Sequence, residues 1–590
     1  MQKNCSVRCQ LIVAFLFSGL VMTDPMAAPI SEQAVQAAGF DRPVGDPGQS
    51  RSVVISTNGM VATSHPLAAQ VGLDILKAGG NAADAAIATS AMMGLVEPMS
   101  CGIGGDLFVI YWDAKTETLH GLNASGRSPY TLSRDVFKEK GLDEIPIHGV
   151  LPWSVPGCVD GWEELRNKFG TMEFDKILQP SVDYGEAGFP VTQIIAGYWK
   201  SGEERFHNWS TAERSFSAKT YLKDGKSPRE GEIFRNPSLA KTYRAIAKGG
   251  RDAFYKGEIA RQIVDFSNDH GGFFSMKDFA DHTSQWVDPV STNYRGYDVW
   301  ELPPNGQGIA ALEMLNVIEG FDVRKMGHNS ADLVHLFVEA KKLAFADRAK
   351  FYADPDFNKL PVAGLISKEY GDRQRARIDM QKAATNVDAG DPILSKGDTI
   401  YLTVVDKDRN CCSFIQSNYH GFGSQIVPGD VGFVMQNRGQ LFSLDPDHLN
   451  TLEPHKRPFH TIIPAFVTKD GKPHFCFGVM GGDMQPQGHV QVLMNMIDFD
   501  MNVQAAGDAS RVNHFGSQTP TGTAMWESGG EVGIESGVTP EVRAELQRRG
   551  HILREAPGSF GGYQGILIDW KNGTLHGATE ARKDGVAVGY

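Results

Sequence analysis

The pattern of apolar and polar positions predicts two short strands followed by two helices between residues 53 and 95. Val53–Ile55 and Met60–Ala62 read as short strands, and Leu67, Val71, Leu73 and Leu76 recur at helical spacing behind Pro66. Ser64 is the expected cap of that helix, and Gly79-Gly80 ends it. Asn81 is expected to cap a second helix, Ala82–Leu95, whose Ala/Met-rich surface suits close packing on a sheet. Farther on, Leu333–Tyr352 is the clearest helix, with an apolar stripe through Leu333, Leu336, Ala340, Leu343 and Ala344. Lys341, Lys342, Asp347 and Arg348 are expected on a solvated face.

Beyond residue 390 the period changes to two. Thr399–Asp406 is β-branched and aromatic, Lys407–Asn410 reads as a hairpin turn, and Cys411–Ser417 returns as a strand. A second hairpin joins Thr461–Val467 to His474–Val479 through Lys469–Lys472, followed by a helical pattern from Val492 to Met501 and a strand at Gly565–Trp570. Short turns between strands imply an α/β protein whose sheet is mostly antiparallel.

The amino terminus carries a different pattern. Lys3 and Arg8 precede an apolar run from Leu11 to Met22, and small residues follow at Ala27 and Ala28. This is the form of a secretory signal peptide, assigned to residues 1–28, and it is too short for a confident membrane helix. The expectation is an exported protein, periplasmic or secreted, with no membrane span after signal removal; residues 29–50 read as an extended lead-in.

The net charge of −13, with no basic run to offset it, argues against nucleic acid as a partner. Beyond the signal, Cys101, Cys158, Cys411, Cys412 and Cys476 are odd in number and irregular in spacing, which suits buried free thiols better than a disulfide framework. Gly225-Lys226-Ser227 lacks the upstream glycine of a phosphate-binding loop, and no His-Glu-x-x-His, Cys-x-x-Cys or Gly-x-Ser-x-Gly motif occurs. His420, His455 and His460 form the one local histidine cluster and read as structural. No metal site and no organic cofactor is expected.

Several segments, weak singly, carry a specific resemblance together. They are Gly59–Ala68, Ala78–Ala86, Glu97-Pro98, Gly102–Asp106, Val155–Gly157, Leu302–Gly308, Gly397–Thr399, Lys456–Pro458 and Met480–Gly482. In content and order the chain resembles the γ-glutamyltransferase (glutathione hydrolase) family of N-terminal-nucleophile hydrolases. The resemblance implies a four-layer αββα sandwich and self-cleavage between Asp398 and Thr399. The products would be a large subunit, 29–398, and a small subunit, 399–590, folded as one composite domain. Thr399 would be the nucleophile, its freed α-amine the base, since an α-amine titrates near ~8. Ser417 matches a family threonine that hydrogen-bonds the nucleophile, and Gly481 and Gly482 match the glycines of the oxyanion hole. By period two, Thr403 shares a strand face with Thr399 and is expected to support it.

The departures from the family point to the acyl group. Arg127 is displaced by two positions from the family's carboxylate-binding arginine, Arg438 and Leu441 stand where residues that bind the α-ammonium are expected, Tyr419 replaces an asparagine, and His460-Thr461 replaces a Ser-Ser pair. Loss of the ammonium's carboxylate partner disfavours a γ-glutamyl group, and two guanidinium forks suit an acyl group with a free carboxylate and no amine. The pattern is similar to the branch holding oxamate amidohydrolase and glutaryl/cephalosporin acylase-like members. The family resemblance implies cleavage of a small γ-glutamyl or related amide through a Thr399 acyl-enzyme, with transfer to water or an amine; the departures favour the alternative of a carboxylate-bearing acyl group without an α-amine. A non-catalytic binding protein on the same scaffold, which would remain uncut, is the competing reading.

Overall fold

In the computed structural model, which describes residues 50–207, 215–390 and 400–590, two seven-stranded sheets lie face to face. One runs in the order Val586–Gly589, Met60–Thr63, Ile400–Val405, Cys411–Ser417, Asp106–Asp113, Thr118–Ala124, Gln285–Val287. The other runs Val54–Ser56, Thr574–Thr579, Gly562–Asp569, Lys472–Met480, Ala465–Lys469, Tyr297–Glu301, Val290–Tyr294. Neighbouring strands in both are antiparallel. Side chains on the Ile400–Val405 strand knit the two sheets together. Thr403 Oγ1 donates to Cys476 Sγ at 2.9 Å, and the Tyr401 ring lies over Gly478, where a Cβ would stand 2.5 Å from it. Thr403 therefore faces the opposite sheet, with Cys476 as its partner.

Helices cover both outer faces. Pro66–Lys77 and Ala82–Val96 pack on the first sheet, and Gly308–Ile318 and Met484–Ile497 on the second, with Ala331–Phe351 packed against Gly308–Ile318. The result is a four-layer αββα sandwich with one large hydrophobic cluster centred on each sheet. Because the central strands are covered on both sides, adjacent Cys411 and Cys412 are both buried although they point to opposite faces; all five described cysteines are buried and free.

Local chemistry explains the element boundaries. Asn81 caps Ala82–Val96 through a capping box with Asp84, an arrangement that contributes about 1 kcal/mol. Ser64 does not cap the preceding helix: His65 Nδ1 accepts the Leu67 N–H at 3.2 Å, and Ser64 donates to buried Glu97 at 2.9 Å. Asp406 closes the hairpin turn by accepting the N–H groups of Asp408 and Asn410 at 2.9 and 3.0 Å. The helix expected from Val492 starts earlier, at Met484, because Pro486 falls in its first turn, where proline is tolerated.

The expected solvated face of Ala331–Phe351 is a correction. Lys341, Lys342, Asp347 and Arg348 are all buried, because this helix is enclosed by neighbours on its polar side too. Each has polar partners there: Lys341 reaches Ser517 Oγ at 2.7 Å, Lys342 reaches Glu339 at 2.8 Å, Asp347 accepts from Tyr370 at 2.7 Å, and Arg348 reaches Gln307 and Asp483. No helix among the described residues is long and apolar enough to cross a membrane. The assigned signal peptide, 1–28, and the expected cleavage bond Asp398–Thr399 lie outside the described residues.

Candidate active site

The carboxyl end of the Cys411–Ser417 strand opens onto a polar ring built from several segments. Its register sets Ser417 against Asp106, while Gln416 pairs with Ile400 on the other side. Asp106 is fully buried, and its Oδ1 accepts from the Gly126 and Gly157 N–H groups at 3.1 and 2.9 Å and from Gln436 Nε2 at 2.9 Å. Its Oδ2 meets His460 Nε2 at 3.1 Å. The N–H groups of Thr461 and Ile462 point at His460 Nδ1, at 3.1 and 3.4 Å, so Nδ1 is the acceptor and Nε2 carries the proton.

Charge follows from these contacts. Burial above all, then the nearby Arg438 guanidinium, lowers His460 to about 3, against an opposing pull from Asp106; the imidazole is neutral. Burial alone would raise Asp106, but the hydrogen bonds and positive charge around it hold the carboxyl below its ordinary range.

Arg438 is completely buried in the short 3-10 turn Arg438–Leu441. Its Nη1 donates to Thr461 Oγ1 at 2.9 Å, and its guanidinium carbon sits 5.2 Å from the centre of the Tyr419 ring. Tyr419 in turn gives its N–H to Ser417 Oγ at 2.8 Å, from a left-handed backbone conformation with φ 80°. Ser417, Tyr419, Arg438, Thr461, His460 and Asp106 thus form a closed circuit. Next to it is the turn that leaves the Lys472–Met480 strand. Gly481 and Gly482 have φ 124° and 63°, and their carbonyls accept the Met484 and Gln485 N–H groups at the start of helix Met484–Ile497. Among the described residues neither glycine's own N–H is bonded to a carbonyl. Gln307 joins turn and circuit, its Nε2 donating to the carbonyls of Thr461 and Gly482 at 2.7 and 3.1 Å.

Comparison with known proteins gives the family of the chain. The gamma-glutamyltranspeptidase family profile matches residues 68–590. The chain belongs to the gamma-glutamyltranspeptidase family. It is 37% identical to the glutathione hydrolase-like YwrD proenzyme of Bacillus subtilis (strain 168), over 91% of this chain and 99% of that protein. It is 32% identical to the oxamate amidohydrolase proenzyme of Klebsiella pneumoniae, over 91% and 99%. The crystal structure of cephalosporin acylase from Bacillus halodurans superposes with a TM-score of 0.86 at 43% identity, covering 97% of this chain and 99% of that one. These relatives are enzymes of the N-terminal-nucleophile type, and the four-layer fold is theirs.

Of the gamma-glutamyltranspeptidase-family positions expected from sequence, the circuit brings together Ser417, Tyr419, Arg438, His460 and Thr461, with Gly481 and Gly482 joined to it through Gln307. Arg127 is elsewhere occupied: its Nη2 meets Asp356 Oδ2 at 2.9 Å, an oxygen that Arg457 also approaches at 3.0 Å. Leu441 is packed in the hydrophobic core of the second sheet. Of the other histidines grouped with His460 in the sequence, His455 stacks on Tyr130 with ring centres 4.1 Å apart, and His420 packs edge-on against Tyr419.

Sequence reasoning missed three contributors. Asp106 and Gln307 stood inside quoted motifs without a role, and Arg348 looked like a surface residue. It also missed a buried group, His335, Glu339 and His551, whose ligand-type atoms lie within 4.8 Å of one another. There His335 Nδ1 and His551 Nε2 are hydrogen-bonded at 2.8 Å, and the Lys342 ammonium stands 2.8 Å from Glu339, where a metal's charge would otherwise act.

Proposed function

We propose that this chain is a self-processing amidohydrolase that uses Thr399 as its nucleophile and acts on an acyl amide whose acyl group bears a free carboxylate. Cleavage of Asp398–Thr399 would divide it into chains 29–398 and 399–590 and free the Thr399 α-amine. That amine takes the hydroxyl proton as Thr399 Oγ attacks the amide carbon, and returns it to the departing amine. Water, deprotonated by the same amine, then breaks the ester and restores Thr399. Ser417 follows Gln416, the register partner of Ile400. Its oxygen accepts from Tyr419, and its hydroxyl is the group we assign to steering the nucleophile. The N–H groups of Gly481 and Gly482 are the proposed oxyanion donors, each worth about 3 kcal/mol in such a site.

The observation that carries the choice of acyl group is Arg438, buried on Thr461 and Tyr419 with Leu441 in the core beside its turn. A guanidinium there suits a carboxylate, whereas a buried ammonium would meet Leu441 where the family is expected to supply a carboxylate, at a cost of several kcal/mol. Arg127, held by Asp356, is assigned a supporting place at most. We propose further that residues 1–28 direct export.

Glutaryl-, oxamyl- and γ-glutamyl-amides assayed side by side on processed protein test the reading. Turnover of the first two above the third supports it. Turnover of the γ-glutamyl amide that matches or exceeds them overturns the assignment of the acyl group, and transfer to an added amine acceptor would show in the same assay. A preparation that stays as one chain and hydrolyses none favours the non-catalytic alternative.

A further inference from the structure

We infer that Gln307, held by Arg348, is a positioning residue that sets the gap between the oxyanion turn and the acyl-carboxylate end of the site. The inference rests on the function proposed above and concerns a residue that does not itself touch the reacting atoms.

The bridge spans two segments that no strand pairing joins at this point. Thr461 lies on the segment entering strand Ala465–Lys469, and Gly482 on the turn leaving strand Lys472–Met480. One amide nitrogen donates to both carbonyls, at 2.7 and 3.1 Å. The orientation of that amide is fixed by its other end: Arg348 Nη1, which can only donate, meets Gln307 Oε1 at 2.8 Å, so Nε2 must face the carbonyls. The same Nη1 reaches Asp483 Oδ1 at 3.1 Å, which anchors the glycine turn a second time. Both side chains are fully buried.

The glutamine is not explained by its helix. It occupies the cap position of Gly308–Ile318, yet its side chain makes no capping hydrogen bond; it reaches away to the site. Thr461, on one end of the bridge, holds Arg438 through its hydroxyl, and Gly482, on the other, belongs to the proposed oxyanion hole. An acyl chain bound with its carboxylate at Arg438 and its carbonyl at Gly482 must match the distance that Gln307 enforces. The bridge therefore acts as a ruler for acyl-chain length.

Gln307→Glu separates positioning from support of the fold. It keeps an oxygen for Arg348, now charged, and replaces the two N–H donors by acceptors that face carbonyls. Succinyl, glutaryl and adipyl p-nitroanilides are assayed on fully processed protein, beside thermal unfolding. The expected result is a protein that still folds and processes itself but melts at a lower temperature, with kcat lower by roughly 10- to 100-fold on the best substrate and a preference among the three chain lengths that flattens toward equality. A variant with wild-type kcat and an unaltered chain-length preference overturns the inference. So does uniform loss on all three with the preference kept, the mark of a merely structural residue. Should Gln307→Glu not fold, Gln307→Met, similar in length and without donors, is read by the same criteria. Wild-type protein that neither cuts itself nor hydrolyses any of the three overturns the function first, and this inference with it.

Discussion

His460 gives its Nε2 proton to Asp106 across 3.1 Å, and neither side chain reaches solvent. The imidazole titrates at about 3 in the folded protein, chiefly because it is buried, and near ~6.5 in an unfolded chain. As pH falls below ~6.5 the unfolded chain binds a proton that the folded one refuses until about 3, so stability drops through that window. The loss is about 3 kcal/mol between pH 8 and pH 4 from this residue. Buried His65, also lowered to about 3, adds a loss of the same sign. Asp106 acts later: its depressed carboxyl contributes stability that is lost as pH falls from the unfolded value, near ~3.9, through the lowered folded one. Urea unfolding at pH 8, 6, 5 and 4 should show a shallower decline for His460→Asn than for wild type, and parallel declines would refute the assignment of a neutral His460.

Processing should depend on Thr399 absolutely and on Ser417 strongly. Thr399→Ala is expected to run as one chain on a denaturing gel, with the mass of the uncut precursor. Ser417→Ala also removes the acceptor of the half-buried Tyr419 N–H, at a cost of about 1 kcal/mol, and should slow processing and hydrolysis together. Ser417→Thr keeps the hydroxyl and should process. A Ser417→Ala protein that cuts itself at the wild-type rate would remove Ser417 from the mechanism.

Arg438→Met tests recognition of the acyl carboxylate. A charged hydrogen bond is worth about 1.5–3 kcal/mol, so kcat/KM for a glutaryl anilide should fall by roughly 10- to 150-fold. A butyryl anilide, of similar length but without the carboxylate, should change by less than about threefold by the same reasoning. Equal losses on both would make Arg438 a structural member of the circuit.

Gly481→Ala should be costly in a different way. With φ 124° and Gly561 Cα only 3.0 Å from where a Cβ would sit, alanine must distort the turn. The expected penalty is about 1–3 kcal/mol of stability, read from thermal unfolding, with slower turnover in whatever protein is processed. An alanine variant as stable and active as wild type would show that the turn's geometry has slack.

Short-range chemistry was the part of the fold most legible in the sequence. The Asn81 cap and the hairpin through Asp406 depend on residues within a few positions, and both stand as expected. His65 took the capping place of Ser64 because Glu97, far along the chain, engages the serine. The charges of Lys341, Lys342, Asp347 and Arg348 misled because amphipathy presumes water beyond the polar face, and here that face meets more protein. The resemblance named Ser417, Arg438 and the two glycines, but their coupling through Gln307, Asp106 and Arg348 joins residues scattered through the chain, which no periodicity records.

The order of strands in the first sheet gives the proposed cut a thermodynamic meaning. Ile400–Val405, which would follow the new amino terminus, lies between Met60–Thr63 from the large piece and Cys411–Ser417 from the small one. The severed chains would stay interleaved, with no disulfide among the described residues to join them. The precursor can fold by a first-order route, whereas separated pieces would have to find each other in solution. Cleavage would thus turn a reversible folding equilibrium into a concentration-dependent one, and a mature enzyme once melted would return far less readily than its own precursor.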